Sequence, residues 1–158
     1  AAGYTEPIHF VTALIWDPDA EQARIDRISA RLGLPADWKG RLHTLYEVRA
    51  RRDALVAPDL PNSALHSLLH GRDPLALELL AVMTDDESLR QRLRLYLDDL
   101  RHRSLAITGD LLRSSGLPPG PVYGEILQTI HSAMLDGLAT DRESQLAMLE
   151  EEVARWGV

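Results

Sequence analysis

Thr84-Asp85-Asp86-Glu87-Ser88-Leu89-Arg90-Gln91-Arg92-Leu93-Arg94-Leu95-Tyr96-Leu97-Asp98-Asp99-Leu100 carries one unbroken periodicity. Leu89, Leu93, Tyr96, Leu97 and Leu100 fall at three- and four-residue steps, with Arg90, Arg92, Arg94, Asp98 and Asp99 between them, the pattern of a one-sided amphipathic helix of about 18 residues. Thr84 and Glu87 match the capping box, in which a hydroxyl and a carboxylate reciprocally satisfy free amides at a helix start. Thr140-Asp141-Arg142-Glu143 repeats that signal, and Leu146, Leu149, Val153 and Trp156 then form one stripe, predicting a terminal helix that docks by it.

The rest of the chain reads the same way. Asp19 opens a stretch with Ile25, Ile28 and Leu32 on one face, closed by Gly33 and Pro35. Trp38, Leu42, Leu45 and Leu55 predict a longer helix over residues 36–56, with Arg49, Arg51 and Arg52 outward and Pro58 and Pro61 ending it. A short helix over residues 63–70 follows, and another starts at Asp73-Pro74, where aspartate caps and proline takes the first helical position, and runs to Met83. Residues 9–16, with Phe10, Val11, Ile15 and Trp16, suit a buried strand or a helix and are read as helix. Nothing alternates with period two for long, so the fold class is all-α, with eight or nine helices and a core drawn from Leu42, Leu45, Leu68, Leu93, Tyr96, Leu97, Leu100, Ile126, Ile130 and Leu149.

Composition narrows the function classes. The 158 residues are enough for a real core, and the absence of cysteine excludes disulfides and thiolate metal sites. No run approaches the roughly 20 apolar residues of a membrane span, and the amino terminus lacks a basic region followed by an apolar one, so a soluble, cytoplasmic protein with no membrane partner is expected. A start without methionine and an apolar run from Ile8 predict a piece of something longer. The net charge of −7 argues against a stand-alone, non-specific nucleic-acid binder, since such affinity comes from neutralising phosphates. Any RNA contact must therefore be local. Lys39 is the only lysine beside 16 arginines, whose planar forks suit phosphate, although a coding bias explains the ratio as simply.

No catalytic or metal-binding set emerges. His66 and His70 have one-turn spacing, but the Glu of the metalloprotease pattern and a third ligand are missing. Asp85-Asp86, Asp98-Asp99 and Glu150-Glu151-Glu152 are sequence neighbours, which point about 100° apart on a helix and do not converge on one ion. The serines lack a glycine-flanked elbow.

The densest punctuation lies between Ile107 and Gly137. Thr108 can cap a short helix with Gly109 and Asp110 in its first turn, Gly116 can stop it, and Pro118-Pro119-Gly120 makes a rigid corner. Pro121 starts a new helix whose buried stripe is Val122, Ile126, Ile130, Ala133 and Met134, with Gly124 leaving room for a second backbone. The pieces Ile107 to Leu111, Gly116 to Pro121, Gly124 to Leu127, Ala133 to Gly137 (including Asp136) and Thr140 to Glu143, in this order and spacing, resemble the C-terminal region of bacterial tRNA nucleotidyltransferases and poly(A) polymerases. Residues 27–34, Pro61-Asn62-Ser63 and Tyr96 to Arg101 are similar to the large variants that carry DHH phosphoesterase and CBS domains. The resemblance implies a helical body over residues 1–104 and a continuous helical tail over 105–158, which hold tRNA or another RNA 3′ end for the catalytic head and neck of the same parent protein. It places magnesium in that head and leaves this chain without a cofactor and without transferase activity of its own. Arg101 and Arg103, then Arg27 and Arg31, are the candidate phosphate ligands, joined by the Gly120 amide and the helix start at Pro121. The competing reading is a helical interaction module, such as a homodimer, that uses the apolar opening run or the Leu146-to-Trp156 stripe without touching RNA.

Overall fold

The computed structural model describes residues 22–114 and 120–156. Among these residues the chain forms nine α-helices and one 3-10 turn, with no strand, so the fold is all-α. The apolar run at residues 9–16 and the corner residues Gly116, Pro118 and Pro119 lie outside the described residues.

The chain divides into two compact units, one built from the described residues up to Leu60 with Leu69–Asp98, the other from Pro61–Leu68 and the described residues from Asp99 onward. In the first, α1 (Gln22–Leu32) packs on α2 (Ala36–Ala50), α2 on α5 (Pro74–Met83), and α5 on α6 (Glu87–Asp98), while the single turn α3 (Arg52–Leu55) lies against α6. Helix α5 is apolar nearly all round and buries Ala76, Leu77, Leu79, Leu80 and Ala81, which makes it the centre of this unit. Its start is built as the sequence dictates. Pro74 takes the first helical position, and the Asp73 carboxylate accepts from Leu75 N at 2.9 Å and Ala76 N at 3.4 Å. Arg41 of α2 donates its Nε to the other oxygen of Asp73 at 2.9 Å, tying the two helices at this cap.

Several boundaries differ from the periodicity's forecast, each for a local reason. The helix predicted over 36–56 breaks at Arg51, whose φ of −96° and ψ of 11° leave the helical basin. The helix expected from Thr84 starts at Glu87. Asp86 caps it, accepting from Leu89 N at 3.1 Å, while the Thr84 hydroxyl accepts from Asp86 N at 3.2 Å and Thr84 itself ends α5. Leu32, forecast on the buried face of α1, is 57% exposed, and α1 buries Ile25 and Ser29 instead. Gly33 does end α1 as expected. Its φ of +61° lets Gly33 N and Leu34 N donate to the carbonyls of Ala30 and Ser29, an arrangement that favours glycine.

The second unit holds α4 (Asn62–Leu69), the 3-10 turn Leu100–His102, α7 (Gly109–Ser114), α8 (Pro121–Leu135) and α9 (Arg142–Arg155). Its core is Ile107, Leu112, Ile126, Ile130, Leu149 and Val153. Of the forecast core, Leu68 is only half-buried and Val122 on α8 likewise, while the other positions are buried. Helix α9 is rotated from its forecast stripe. Gln145, Leu149, Glu152 and Val153 are buried and Trp156 is 48% exposed. Its cap is Asp141, not Thr140, and the partner in the capping box is Ser144: Ser144 N donates to Asp141 Oδ1 at 2.8 Å, and Asp141 N donates back to Ser144 Oγ at 3.3 Å. Among the described residues no helix is long and apolar enough to cross a membrane.

Two outcomes follow from this packing. Leu93 is fully buried and Leu32 is not, so Leu93→Ala lowers stability by about 2–5 kcal/mol in urea denaturation while Leu32→Ala stays within about 0.5 kcal/mol. The Leu89 amide, followed by Arg52, holds the Asp86 carboxyl below its ordinary 3.8, and the Ser144 amide does the same for Asp141. A carboxyl depressed in the folded state contributes stability above its unfolded value and loses it as pH falls through the folded one. Thermal stability therefore declines below about pH 4, and Asp86→Asn, which keeps an acceptor but does not titrate, makes that acid decline shallower in melts recorded from about pH 5 downward.

Candidate functional site

Helix α8 ends in a turn that joins two of the segments singled out in the sequence. Gly137, at φ +81°, lets its own amide donate to Met134 O at 3.2 Å and the Leu138 amide donate to Ala133 O at 2.8 Å, closing the helix end. That turn aims the Asp136 carboxylate at the start of α4. Ser63 N donates to Oδ1 at 2.8 Å and Ser63 Oγ donates to Oδ2 at 2.7 Å. Asn62 Nδ2 donates to Leu135 O at 3.1 Å, satisfying one of the free carbonyls of α8. The Asn62-Ser63 and Asp136-Gly137 pieces thus form one clamp, 73 residues apart in sequence. One turn along α4, the rings of His66 and His131 meet edge to face at 5.1 Å.

The six candidate contact residues are all exposed and are divided between the two units. Arg27 and Arg31 lie on α1, in the first unit. Arg101 sits in the 3-10 turn. Arg103 is engaged with Asp99 through two parallel bonds of 2.8 Å, Nε to Oδ1 and Nη2 to Oδ2, which hold the Asp99 carboxyl below its usual range. Gly120 caps α8 and its carbonyl accepts from Tyr123 N at 3.1 Å, with Pro121 in the first helical position as forecast. The φ of Gly120 is 179°, extended backbone that any residue adopts. Gly124 has no atom of the described residues within 4 Å of a Cβ built there, so among these residues no backbone makes the close approach read from the sequence. In the short helix α7, Leu111 N donates to Thr108 O at 3.0 Å, with Gly109 and Asp110 in its first turn.

A recess of about 390 Å³ opens in the second unit where the loop after the 3-10 turn meets the start of α9. Arg103, Ser104 and Ala106 line it from the loop, Met134 from α8, and Thr140, Arg142 and Gln145 from the approach to α9 and its first turns. Gln145 is 2% exposed, and both ends of its carboxamide are used. Ala106 N donates to Oε1 at 2.8 Å, and Nε2 donates to Ala139 O at 3.3 Å, so one buried side chain pins two loops. Sequence reasoning named Arg103 as a contact, took Thr140 and Arg142 only as part of a helix-start motif, and did not single out Gln145. The available signal was a glutamine one turn before Leu149 in the terminal helix. Among the described residues no group of three His, Asp or Glu could hold a metal ion.

With this arrangement in view, the comparisons with known proteins are specific. Over 95 residues, 60% of the chain, the sequence is 34% identical to an A-adding tRNA nucleotidyltransferase of Geobacter sulfurreducens. That stretch is 11% of the relative's length, so the chain spans a small part of the protein it is similar to. No family model and no solved structure matches the chain.

The clamp provides the structural check on this site. Asp136→Ala removes the acceptor at the start of α4, and a loss of about 0.5–2 kcal/mol in chemical denaturation is the expected outcome, with Asp136→Asn losing less.

Proposed function

We propose that the chain is a helical, tRNA-positioning C-terminal portion of an RNA 3′-end nucleotidyltransferase of the large variety with DHH and CBS domains, and that it does not carry the transfer chemistry itself. The observation that carries the reading is the 34% identity over 95 residues to an A-adding tRNA nucleotidyltransferase, of which the stretch is only 11%. An all-helical piece of that extent is suited to holding a long substrate while the reacting groups, with their magnesium, reside in a separate head. The arginines offer phosphate contacts that position RNA without reading its sequence. Such contacts are compatible with an overall charge of −7, because screening confines each field to a Debye length of about 8–10 Å. The proposed setting is the cytoplasm, with tRNA and the rest of the parent protein as partners.

A gel-shift titration with tRNA in low salt tests the reading. The chain is expected to bind weakly, with affinity falling as salt rises, to treat different tRNAs alike, and to transfer no CMP or AMP from CTP or ATP. Arg101→Glu is expected to weaken binding to every tRNA tested. Absence of any shift, together with concentration-dependent dimerisation in sedimentation, would overturn the proposal in favour of an interaction module.

A further inference from the structure

The recess between the Arg103–Ala106 loop and the start of α9 has the chemistry of an anion site, and we infer that it takes a phosphate group, supplied by the RNA backbone if the chain positions tRNA. The inference rests on that functional reading for the source of the phosphate, but its geometry is independent of it. Arg103 enters with its orientation already fixed. Asp99 holds the Nε and Nη2 edge of the guanidinium at 2.8 Å, leaving the Nη1 edge unengaged by any described residue. A fork anchored on one side loses less side-chain entropy when its free side meets an oxyanion than a mobile one does.

Arg142 supplies the second cation. It is exposed, is the first residue of the 14-residue helix α9, and has no hydrogen-bond or ion-pair partner among the described residues. Of its two acidic neighbours in sequence, Asp141 is committed to the α9 start and Glu143 is exposed in the first turn. Asp141 accepts from Ser144 N, and its carboxyl is depressed by the amides and hydroxyl of that turn. Asp99 is paired with Arg103 and the Asp141 carboxylate sits on the amides of the α9 start, which leaves the Arg142 guanidinium as the cation beside the recess without a partner among the described residues. Ser104 and Thr140 add hydroxyls to the lining. The carboxamide of Gln145 ties together the two loops that carry these groups. At about 390 Å³ the recess lies within the range of ligand sites and has room for a phosphate group.

The experiment compares the parent chain with Arg142→Gln, and with Arg94→Gln on α6 as a control, in two arms. In the first, tRNA affinity is measured over a salt series. The expected result for Arg142→Gln is a roughly three- to tenfold weakening at about 50 mM salt and a salt slope shallower by about one, with Arg94→Gln unchanged. Unaltered affinity and slope in Arg142→Gln would overturn the inference while leaving the tRNA reading standing. In the second arm, inorganic phosphate is titrated into the isotopically labelled chain and the amide resonances of Ala106 and Gln145 are followed. Saturable shifts in the parent that vanish in Arg142→Gln support the recess as a phosphate site even if tRNA does not bind, in which case the functional reading alone falls. Absence of shifts at Ala106 and Gln145 in a parent that binds no tRNA sinks the inference. Melting curves of the three proteins, expected to coincide, separate a lost contact from a lost fold.

Discussion

Asp136 satisfies polar groups at two helix ends at once. Its backbone belongs to the turn that closes α8, and its carboxylate takes the amide and hydroxyl of Ser63 at the start of α4. A helix end left with bare amides or carbonyls is costly wherever water is scarce, so each end needs a partner from somewhere. In the second unit several of these partners come from distant sequence, although α9 is capped locally by Asp141 and Ser144. Asp136 serves α4, Asn62 serves the last turn of α8, and Gln145 serves the loops before α7 and α9. The first unit solves the same problem locally, with Asp73 and Asp86 capping their own helices, and uses Arg41 and Arg52 to bind those caps to a second helix.

That contrast explains what could be read from the sequence and what could not. Local devices were legible: Asp73-Pro74, Pro121 and Gly33 each sit where their chemistry placed them. The box read at Thr140 is present but shifted to Asp141 and Ser144, whereas the one read at Thr84 is replaced by a one-sided cap from Asp86. Where threonine precedes aspartate, both can cap, and the direction from which the chain enters decides between them. At Thr84 the preceding helix claims the threonine as its own end, so the cap passes to Asp86. The stripe on α9 was misplaced for a related reason. Gln145 and Glu152 count as polar in any periodicity, yet both are buried because their polar atoms are satisfied internally or by Arg155.

The recess was illegible because its two arginines are 39 positions apart and one reaches it only through the tie between Ala106 and Gln145. The same reasoning applies to charge. Bulk acidity obscured the fact that Asp99 and Asp141 are occupied, the first by a guanidinium and the second by a helix start. A count of ionisable groups weighs all of them equally, whereas a ligand meets only those with unused hydrogen-bonding capacity.

The clamp on α4 also bears on the order in which the chain is made. Eight residues are too few to hold a helix in water by themselves, and the acceptor that completes α4 lies 73 positions downstream. At about 5–20 residues per second, a ribosome takes several seconds to reach that acceptor, and longer to bring it clear of the exit tunnel. During that interval Ser63 has its amide unmet by Asp136, and the helices upstream can form from their own caps. The second unit is thereby the late-assembling one, completed only once the Leu-Asp-Gly turn of α8 has emerged.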